Sequence, residues 1–583
     1  MPFPLRPAAL RIAAALMAAS LIAAACTTRP DNAAPSGANG QSPQSRHYMA
    51  AAANPLAADV GRDVLAHGGN AIDAAVAMQM VLNLVEPQSS GIGGGAFLLY
   101  YDAETKTVTA YDGRETAPAE ATDDMFLTPE GAPKDFFAAA VGGGAVGVPG
   151  VVAMLEMAHR DHGKAPWRDL FAPAIRMAED GFSVSPRLHA MIAADDHLKT
   201  FPSTAAYFFH ADGTPLAVGE TLKNPALAES LRAVAEGGAK AFYEGRLATD
   251  IVAAVRGASV NPGRLRAADF AAYKAKRRSA ICRPYREWRV CGMPPPSSGG
   301  TTVLEALGLL ERFDLAAMEP ESVQSLHLMA EASRLAFADR NRYLGDPDFI
   351  LAPVDRLLDR DYLARRSRLI SPDRALPLVL PGPLASTGAA RPEAAADRLL
   401  SSTTHVSAVD ADGNAVAFTS SIEAEFGSRL MVDGFLLNNE LTDFSFRPVV
   451  DGRPAANRVE PGKRPLSSMA PTLVFDRDGR FLMSAGSPGG QSIIDYVLKT
   501  LVAVLDWRLP AQQAIALPNF AAKVGPIEIE KRTGLEALRP ALEAMGHEVM
   551  SEDMPSGIQA IVATPNGLVG AGDPRREGAA RGD

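Results

Sequence analysis

The chain has 583 residues, of which 47% are hydrophobic and 21% are charged, so it is long enough to bury a large core. Its net charge of −10 at pH 7 provides no basic surface of the kind that binds nucleic acid, which excludes nucleic acid as an expected partner. Length alone favours several domains.

The first residues predict an export signal. Two arginines precede an apolar run over residues 12–25, which at 14 residues is shorter than the roughly 20 that span a membrane. The run ends in Ala23-Ala24-Ala25-Cys26, so residues 1–25 predict a lipoprotein signal with lipid attached to Cys26, and ordinary cleavage after Ala25 is the alternative. Residues 27–46, rich in Pro, Ser, Gly and Asn, predict a flexible tether. We therefore expect a periplasmic protein, either anchored by lipid or secreted.

Two predicted helices and a glycine-rich loop follow. Apolar residues at helical spacing predict helices over residues 56–65 and 71–85. The next segment, Gly91-Ile92-Gly93-Gly94-Gly95-Ala96, matches the glycine spacing of a dinucleotide-binding loop. That loop requires a strand before it and a helix after it, whereas here the order is reversed, so we interpret these glycines as a site of close backbone packing.

Residues 145–370 are predicted to be mainly helical. The sequence contains no metal-binding motif. There is no HExxH sequence, and His159 and His162 lack further ligands nearby, so we expect two surface histidines. Gly462-Lys463 is followed by Arg464, which does not fit a phosphate-binding loop. We expect no catalytic metal and no cofactor.

Cys282 and Cys291 are the two cysteines outside the signal. They flank residues 283–290, a stretch short enough for a hairpin, and an oxidising periplasm would favour a disulfide between them. Two unpaired buried thiols are the alternative. Either way, we assign the pair to structure and not to catalysis.

The pattern changes at Thr403. Residues 371–400, rich in Pro and Ala, predict a mobile segment, and two short β-runs follow over residues 405–409 and 415–421. An N-terminal nucleophile needs a hydroxyl residue in this position, because its hydroxyl must attack the preceding carbonyl and its freed amine must then act as base. On its own, Thr403-Thr404-His405 is more typical of an ordinary strand with threonine on its polar face.

Motifs in a fixed order extend over most of the chain. Upstream stand Gly69-Asn70-Ala71-Ile72-Asp73-Ala74-Ala75, Gly113-Arg114-Glu115-Thr116-Ala117-Pro118, Gly147-Val148-Pro149-Gly150, Pro294-Pro295-Pro296-Ser297-Ser298-Gly299-Gly300 and Tyr343-Leu344-Gly345-Asp346-Pro347. Downstream stand Thr403-Thr404-His405, Leu436-Leu437-Asn438-Asn439-Glu440, Asp443-Phe444-Ser445, Lys463-Arg464-Pro465-Leu466-Ser467-Ser468-Met469 and Gly486-Ser487-Pro488-Gly489-Gly490. Over roughly residues 47–575, the chain resembles the γ-glutamyltranspeptidases.

The resemblance implies an α+β fold of the N-terminal nucleophile (Ntn) hydrolase type, an αββα four-layer sandwich built from two subunits that arise by self-cleavage. The implied break lies between Ser402 and Thr403. It would give a large subunit of residues 47–402 and a small subunit of residues 403–583 that begins with the nucleophile.

The resemblance also implies catalytic roles. Thr403 is the nucleophile, and Ser421, where the family carries a threonine, is the second hydroxyl beside it. Gly489 and Gly490 form the oxyanion hole, and residues 491–507 are predicted as a helix whose first N–H groups would face the developing negative charge. A glycine-rich turn before a helix is the alternative.

A second set of residues is implied in substrate binding. Arg114, Ser467 and Ser468 would hold the α-carboxylate, and Glu440 and Asp443 the α-amino group. A planar guanidinium suits a carboxylate because two parallel hydrogen bonds fix its position and orientation. Without the resemblance, Arg114 would be interpreted as a solvated surface residue and the others as surface loop residues.

Glu423 departs from the family, whose members typically carry an asparagine there that helps to hold the substrate. A second carboxylate about 4 Å from the substrate carboxylate costs up to roughly 4 kcal/mol at an effective dielectric constant near 20. Glu423 would therefore point away or pair with Arg429 or Arg114. Residues 445–462 contain no tyrosine, so an aromatic lid is not evident and we expect an open site.

We therefore expect a glutathione hydrolase and γ-glutamyltransferase that uses a Thr403 acyl-enzyme. Its partners would be a γ-glutamyl substrate such as glutathione and an acceptor that is water, an amino acid or a peptide. An acylase of the same family acting on another acyl amide, such as glutaryl, is one alternative, which kinetics with γ-glutamyl and glutaryl anilides would separate. An uncleaved binding lipoprotein is the other, and it predicts a single band on a denaturing gel.

Overall fold

Two seven-stranded antiparallel sheets lie face to face at the centre of the protein. The computed structural model describes residues 42–384, 402–450 and 452–583. The first sheet contains, in spatial order, Ala579–Gly582, Met49–Ala52, Thr404–Val409, Ala415–Ser421, Gly95–Asp102, Thr107–Gly113 and Lys276–Ser279. The second contains Gln44–Ser45, Gly567–Gly572, Gln559–Thr564, Phe481–Gly486, Thr472–Phe475, Trp288–Gly292 and Ile281–Tyr285.

Helices cover the outer face of each sheet. On the side of the first sheet are Pro55–Ala66, Ala71–Val85, Val151–His162, Ala172–Asp180, Pro186–Ala194, Pro225–Tyr243 and Arg246–Arg256. On the side of the second are Gly299–Leu310, Val323–Tyr343, Arg360–Ser367, Ile493–Leu505, Ala511–Ala516 and Arg539–Ala544. The order of helices, sheet, sheet and helices is the predicted αββα sandwich.

Shorter elements connect these layers. The short helices are Phe136–Ala140, Pro202–Phe208, Ala267–Ala272 and Val354–Leu357, and the 3-10 turns are Trp167–Phe171, Leu198–Thr200, Leu315–Ala317, Glu440–Asp443, Gly490–Ser492 and Gly534–Leu538. Small sheets pair Phe182–Ser183 with Thr221–Leu222, Met431–Val432 with Phe435–Leu436, and Val449–Val450 with Arg453–Pro454. A three-stranded sheet joins Phe520–Ala522, Ile527–Glu530 and Val549–Glu552.

The strands of the first sheet bury both faces. In Gly95–Asp102, Leu98 and Tyr100 pack towards the helices, whereas Phe97 and Leu99 pack towards the second sheet. Successive side chains of a strand point to opposite faces, so a strand buried on both faces reads as a continuous apolar run. The strand Thr404–Val409 is likewise buried on both faces, but its polar residues His405 and Ser407 alternate with the apolar Val406 and Ala408.

The helix Ala71–Val85 begins and ends where the sequence predicts. Asn70 and Asp73 form a reciprocal capping box at its start, which satisfies backbone N–H groups that have no partner within the helix. All of its residues are buried, and its small alanines let it lie against the first sheet. Within the described residues, no helix combines the length and apolar character that crossing a membrane requires.

Two predicted flexible boundaries differ in the structure. Gln44–Ser45, inside the predicted tether, already forms an edge strand that pairs with Leu568 and Val569. In the predicted mobile segment, the N–H of Gly382 donates to Asp339 at 2.5 Å, so residues up to 384 are attached to the core. The export signal, Cys26 and residues 385–401 lie outside the described residues.

His159 and His162 are half-buried and not surface residues as predicted. The ring of His162 packs on Tyr100 with centroids 4.1 Å apart, and Nε2 of His159 lies 2.8 Å from the carbonyl oxygen of Ala165. Tyr100 of the first sheet covers His162, and the ring of Trp167 packs against His159.

Cys282 and Cys291 form a disulfide, which decides between the two sequence alternatives. They are directly opposite each other in the hairpin of Ile281–Tyr285 and Trp288–Gly292, with 4.0 Å between their Cα atoms. The bond closes the edge hairpin of the second sheet, away from Thr403 in the first, which agrees with a structural role.

Candidate active site

Thr403 immediately precedes a central strand of the first sheet, and Ser421 ends the neighbouring strand. Because Thr404 is directly opposite Ser420, the hairpin brings the two hydroxyls together, with 3.0 Å between Thr403 Oγ1 and Ser421 Oγ. The N–H of Glu423 donates to Ser421 Oγ at 2.9 Å. Ser421 therefore accepts one hydrogen bond from the backbone and can give its own proton to Thr403.

The backbone at Thr403 has an unusual conformation. Its φ is +115°, in a region that a β-branched residue rarely adopts. Neighbouring groups hold it on both sides: Arg576 Nη1 donates to the Thr403 carbonyl at 3.2 Å, and the Ser402 hydroxyl donates to the Gln88 carbonyl at 2.5 Å. The surrounding structure thus supports a strained residue at the predicted cleavage point.

The glycine-rich loop before Gly95–Asp102 lies against the same strand end. A Cβ atom on Gly94 would be 2.1 Å from the carbonyl oxygen of Ser421, and one on Gly93 would be equally close to that of Leu436. The interpretation as a close-packing site is confirmed, and this packing helps to position Ser421.

Arg114 is buried, contrary to the solvated position expected without the resemblance. Its Nη1 and Nη2 atoms contact the carboxylates of Glu440 and Asp443, and Nε donates to the carbonyl of Pro465 at 3.1 Å. Burial alone would lower the pKa of Arg114, but the charges of Glu440 and Asp443 outweigh it and raise the pKa. The three residues form one ion-pair cluster.

The acids of this cluster are crowded. Burial raises the pKa of Glu440 to about 8, Arg114 opposes that rise, and the charges of Asp443 and Glu423 add to it. Glu115 lies 3.6 Å from Arg114 as a further buried carboxyl group. One guanidinium therefore faces several acids, and a cationic ligand group would relieve their mutual repulsion.

Glu423 does not pair with Arg114 or Arg429, the two arginines suggested from the sequence. Its Oε2 accepts from Asn439 Nδ2 at 2.5 Å. Arg429 is buried against Asp195, with 2.8 Å between Nη2 and Oδ2, and Arg114 is engaged as described above. Glu423 also lines the cavity.

Ser467 and Ser468 are buried and not surface loop residues. Ser467 Oγ accepts from the N–H of Met469 at 3.1 Å, and Ser468 Oγ accepts from Arg340 Nη2 at 2.8 Å. Arg340 is not among the predicted site residues, although it lies in the predicted helical region, in the helix Val323–Tyr343. No local pattern distinguishes this arginine from the others of the helix.

Gly489 and Gly490 lie between a strand of the second sheet and the helix Ile493–Leu505. Their φ angles are +135° and +56°, and a Cβ on Gly489 would be 2.5 Å from the ring of Tyr496. A 3-10 turn, Gly490–Ser492, leads into the helix, so the α-helix begins two residues later than predicted. The turn places Gly490 at the same cavity as Thr403.

The predicted residues meet at one cavity of about 520 Å³. Its lining includes Thr403, Ser421, Arg114, Glu423, Glu440, Asp443, Ser467, Ser468 and Gly490, together with Arg340. Residues 445–462 contribute Phe446, whose ring stacks on Phe126 at 4.6 Å, and the small hairpin at Val449–Val450. Of the residues predicted for catalysis and substrate binding, Gly489 is outside this lining, next to Gly490 in sequence.

Two packed sheets between helical layers, with a hydroxyl residue leading a central strand beside a cavity, define the Ntn-hydrolase class of fold. The comparisons with known proteins agree with this class. The model of the family described as gamma-glutamyltranspeptidase matches residues 57–582. The chain therefore belongs to the γ-glutamyltranspeptidase family.

Relatives within the family include both hydrolases and acylases. The chain is 39% identical over 551 residues to the glutathione hydrolase proenzyme of Escherichia coli (strain K12), covering 91% of each. It is 36% identical over 540 residues to the acylase ACY 1 proenzyme of Pseudomonas sp. (strain V22), covering 90% of this chain and 91% of the relative.

Solved structures give the same two groups. Cephalosporin acylase from Bacillus halodurans matches with a TM-score of 0.81 at 27% identity, over 94% of this chain and 98% of that one. γ-Glutamyltranspeptidase from Helicobacter pylori matches with a TM-score of 0.55 at 34% identity, over 59% of this chain and 97% of that one.

Proposed function

We propose that the chain is a precursor that cleaves itself between Ser402 and Thr403 and then acts as a glutathione hydrolase and γ-glutamyltransferase. The observation that carries the proposal is the pair of hydroxyls, Thr403 and Ser421, 3.0 Å apart at a cavity whose lining includes both acids and cationic and hydroxyl donors. Family membership and the glutathione hydrolase relatives support the substrate.

Maturation uses the hydroxyl of Thr403. Its Oγ1 attacks the carbonyl carbon of Ser402, the peptide C–N bond breaks, and an ester forms. Water then hydrolyses the ester, which leaves a carboxylate on Ser402 and a free α-amine on Thr403. That amine has a reference pKa near 8, so a large neutral fraction is available as base around pH 8.

Turnover repeats the attack on the substrate. Thr403 Oγ1 transfers its proton to its own amine and attacks the γ-glutamyl amide carbon. The N–H groups at Gly489 and Gly490 would stabilise the oxyanion, and loss of one such donor typically costs about 3–4 kcal/mol. The Thr403 amine passes the proton to the nitrogen of the substrate amide, whose C–N bond breaks, and the substrate amine leaves. Water or an amino compound then takes the acyl group from Thr403.

The cavity walls suit a γ-glutamyl group. Its α-ammonium group is a cation, and Glu440, Asp443 and Glu423 supply the acidic wall. Its α-carboxylate would be held by Ser467, Ser468 and the guanidinium of Arg114. The lining thus offers a partner to each of the two charges of the donor.

The decisive test is the Thr403→Ala variant. We expect the wild-type protein to give two bands on a denaturing gel, with Edman degradation reading Thr-Thr-His-Val from the smaller one. Thr403→Ala should remain one chain, because no hydroxyl is present to attack Ser402.

Thr404→Ala is the matched control. Thr404 is the adjacent buried threonine, and its Oγ1 has no hydrogen-bond partner in the described part of the chain. We expect this variant to be processed normally. A wild-type protein that stays intact would favour the uncleaved binding lipoprotein and end the proposal.

An acylase for glutaryl amides is the second candidate, and the acylase relatives favour it. A glutaryl donor has the carboxylate but lacks the ammonium group. The values of kcat/KM for γ-glutamyl and glutaryl p-nitroanilides separate the two, since the acidic wall should favour the γ-glutamyl donor. A higher value for glutaryl would make the chain an acylase.

The proposal includes export to the periplasm with a lipid on Cys26. It rests on the residues of the signal, which lie outside the described residues. Labelled palmitate should be incorporated into the wild-type protein and not into Cys26→Ser. Unlabelled wild-type protein in the periplasmic fraction would instead indicate ordinary cleavage after Ala25.

A further inference from the structure

A second buried guanidinium lies at the cavity, and it has no acidic partner. Arg340 is 7% exposed, and no carboxylate of the described residues is within 4.0 Å of it. It donates to three neutral oxygens, each at 2.8 Å: Ser468 Oγ from Nη2, Ser298 Oγ from Nε and Asn341 Oδ1 from Nη1. Its surroundings differ from those of Arg114, whose charge is neutralised by two carboxylates.

The charge of Arg340 is present at neutral pH. Burial lowers its pKa to about 10, and the charge of Asp443 opposes that change. Asp443, however, is already paired with Arg114. A buried charge is costly unless an opposite charge compensates it, so this part of the cavity favours an anionic ligand.

The hydrogen bonds of Arg340 also fix the direction of a donor. Because a guanidinium donates only, Ser468 Oγ must accept from it, which leaves the Ser468 proton free for the cavity. Ser298 accepts from Nε and donates its own proton to the Ser467 carbonyl at 2.6 Å. The network thus joins Ser468 and Ser298 to the guanidinium of Arg340.

We propose that Arg340 is the specificity-determining cation of this cavity, acting through Ser468 to select acyl donors that carry a free carboxylate on the acyl chain. The class includes γ-glutamyl and glutaryl amides, because both end in that carboxylate. The ammonium group would be recognised separately, by the acids around Arg114. The inference rests on the proposed function, since it names the donor class of the same site.

A purely structural role for Arg340 predicts a different result. Its contacts attach the helix Val323–Tyr343 to the segment of Ser467 and Ser468, so its loss could simply disorder the cavity. Disorder would reduce the cleavage of every donor alike. A loss restricted to carboxylated donors cannot come from disorder.

The test compares three p-nitroanilides: γ-glutamyl, glutaryl and butyryl. The first two carry the carboxylate, whereas butyryl has a similar chain without it. For Arg340→Gln we expect kcat/KM to fall about 10- to 100-fold for both carboxylated donors, mainly through a higher KM, as loss of a charged hydrogen bond predicts. Their preference over butyryl should fall by a similar factor, and Arg340→Lys should restore part of it.

Arg342→Gln is the matched control. Arg342 lies two residues further along the same helix, half-buried, with its guanidinium 5.7 Å from the ring of Tyr343. The substitution removes the same charge outside the described cavity lining, so all three values should stay within twofold of wild type, a change of about 0.4 kcal/mol.

Several results would overturn the inference. Equal losses for all three donors in Arg340→Gln would make the residue structural, and a wild-type enzyme that cleaves butyryl as well as glutaryl has no carboxylate site. If Arg340→Gln stays uncleaved on a gel, Ser468→Ala replaces it in the test. This variant keeps the guanidinium, and its kcat/KM should again fall for γ-glutamyl and glutaryl but not for butyryl. Failure of the proposed function is distinguishable, because the wild-type protein itself would then not mature or would cleave none of the donors.

Discussion

Thr403 depends on a residue near the other end of the sequence. Arg576, which is 173 positions away, donates to its carbonyl, and also to the carbonyl of Pro555. Burial lowers the pKa of Arg576 to about 9, so it is still protonated at neutral pH. The contact therefore supplies a charged donor that can hold the positive φ of Thr403.

We expect Arg576→Gln to slow maturation. Loss of a hydrogen bond from a charged donor costs about 1.5–3 kcal/mol, which corresponds to roughly 10- to 100-fold in rate if the strained conformer is required for attack. The fraction of cleaved chain in a pulse-chase gel measures this rate. The maturation rate of Arg576→Lys should lie between those of the wild type and Arg576→Gln. Maturation of Arg576→Gln at the wild-type rate would contradict the role of Arg576.

Glu423 should discriminate between donors. Its carboxylate attracts the ammonium group of a γ-glutamyl donor and repels the carboxylate that both donors carry. Because both donors carry the carboxylate, its repulsion cancels in their ratio, and only the attraction to the ammonium group changes it. Glu423→Gln should therefore raise kcat/KM for glutaryl relative to γ-glutamyl p-nitroanilide, by about tenfold for each 1.4 kcal/mol of that attraction removed. An unchanged ratio would show that Glu423 points its charge away from the bound donor.

The hairpin that carries the two hydroxyls contains a buried histidine. His405 lies 2.8 Å from Thr419 Oγ1 through Nδ1 and 3.2 Å from Ser407 Oγ through Nε2. A Cβ on Gly486 would be 2.3 Å from its ring, so the second sheet covers it closely. Burial lowers the pKa of His405 to about 3, and the ring is neutral in the folded protein.

This burial makes stability depend on pH. Between about pH 6.5 and 3 the unfolded chain binds a proton at this position and the folded chain does not, so the free energy of unfolding falls by up to about 1.4 kcal/mol per pH unit as the solution is acidified. In the uncleaved Thr403→Ala background, His405→Gln should flatten the dependence of the urea midpoint on pH. His67→Gln, at an exposed helix end, is the control and should leave the slope unchanged.

Elements defined by local sequence were predictable, and contacts between distant segments were not. The helix at Ala71–Val85 and the strand at Ala415–Ser421 agree with their predicted bounds, because a capping box and a short turn mark them. The meeting of Thr403 and Ser421 follows from the resemblance and from their shared hairpin. Arg340 and Arg576 reach the site across 128 and 173 positions, and no sequence period records such a contact.

The whole molecule interleaves the segments on either side of the proposed break. Within the described residues, five strand pairings join them: Ala579–Gly582 with Met49–Ala52, Met49–Ala52 with Thr404–Val409, Ala415–Ser421 with Gly95–Asp102, Gln44–Ser45 with Gly567–Gly572, and Trp288–Gly292 with Thr472–Phe475. Separating the subunits would therefore expose strand edges in both sheets and the core between them.

We accordingly expect cleavage without dissociation. The mature protein should elute from a sizing column as one species of about the precursor's size, and its two chains should separate only in denaturant, because the same core supports both. The Thr403→Ala precursor is the control for elution volume. Two separate peaks under native conditions would contradict the interleaved arrangement.

The contact between Ser45 and Asp583, with the N–H of His47 donating to Asp583 at 3.1 Å, brings the first described strand beside the last residue. Neighbouring ends of this kind tolerate being joined. A circularly permuted gene could therefore start at the codon for Thr403, continue through Asp583 and a short linker to Ser42, and stop after residue 384. Once its initiator methionine is trimmed, such a polypeptide would emerge from the ribosome with its threonine amine already exposed. Under the proposed cleavage, the natural order of segments would thus delay activity without being required for the fold.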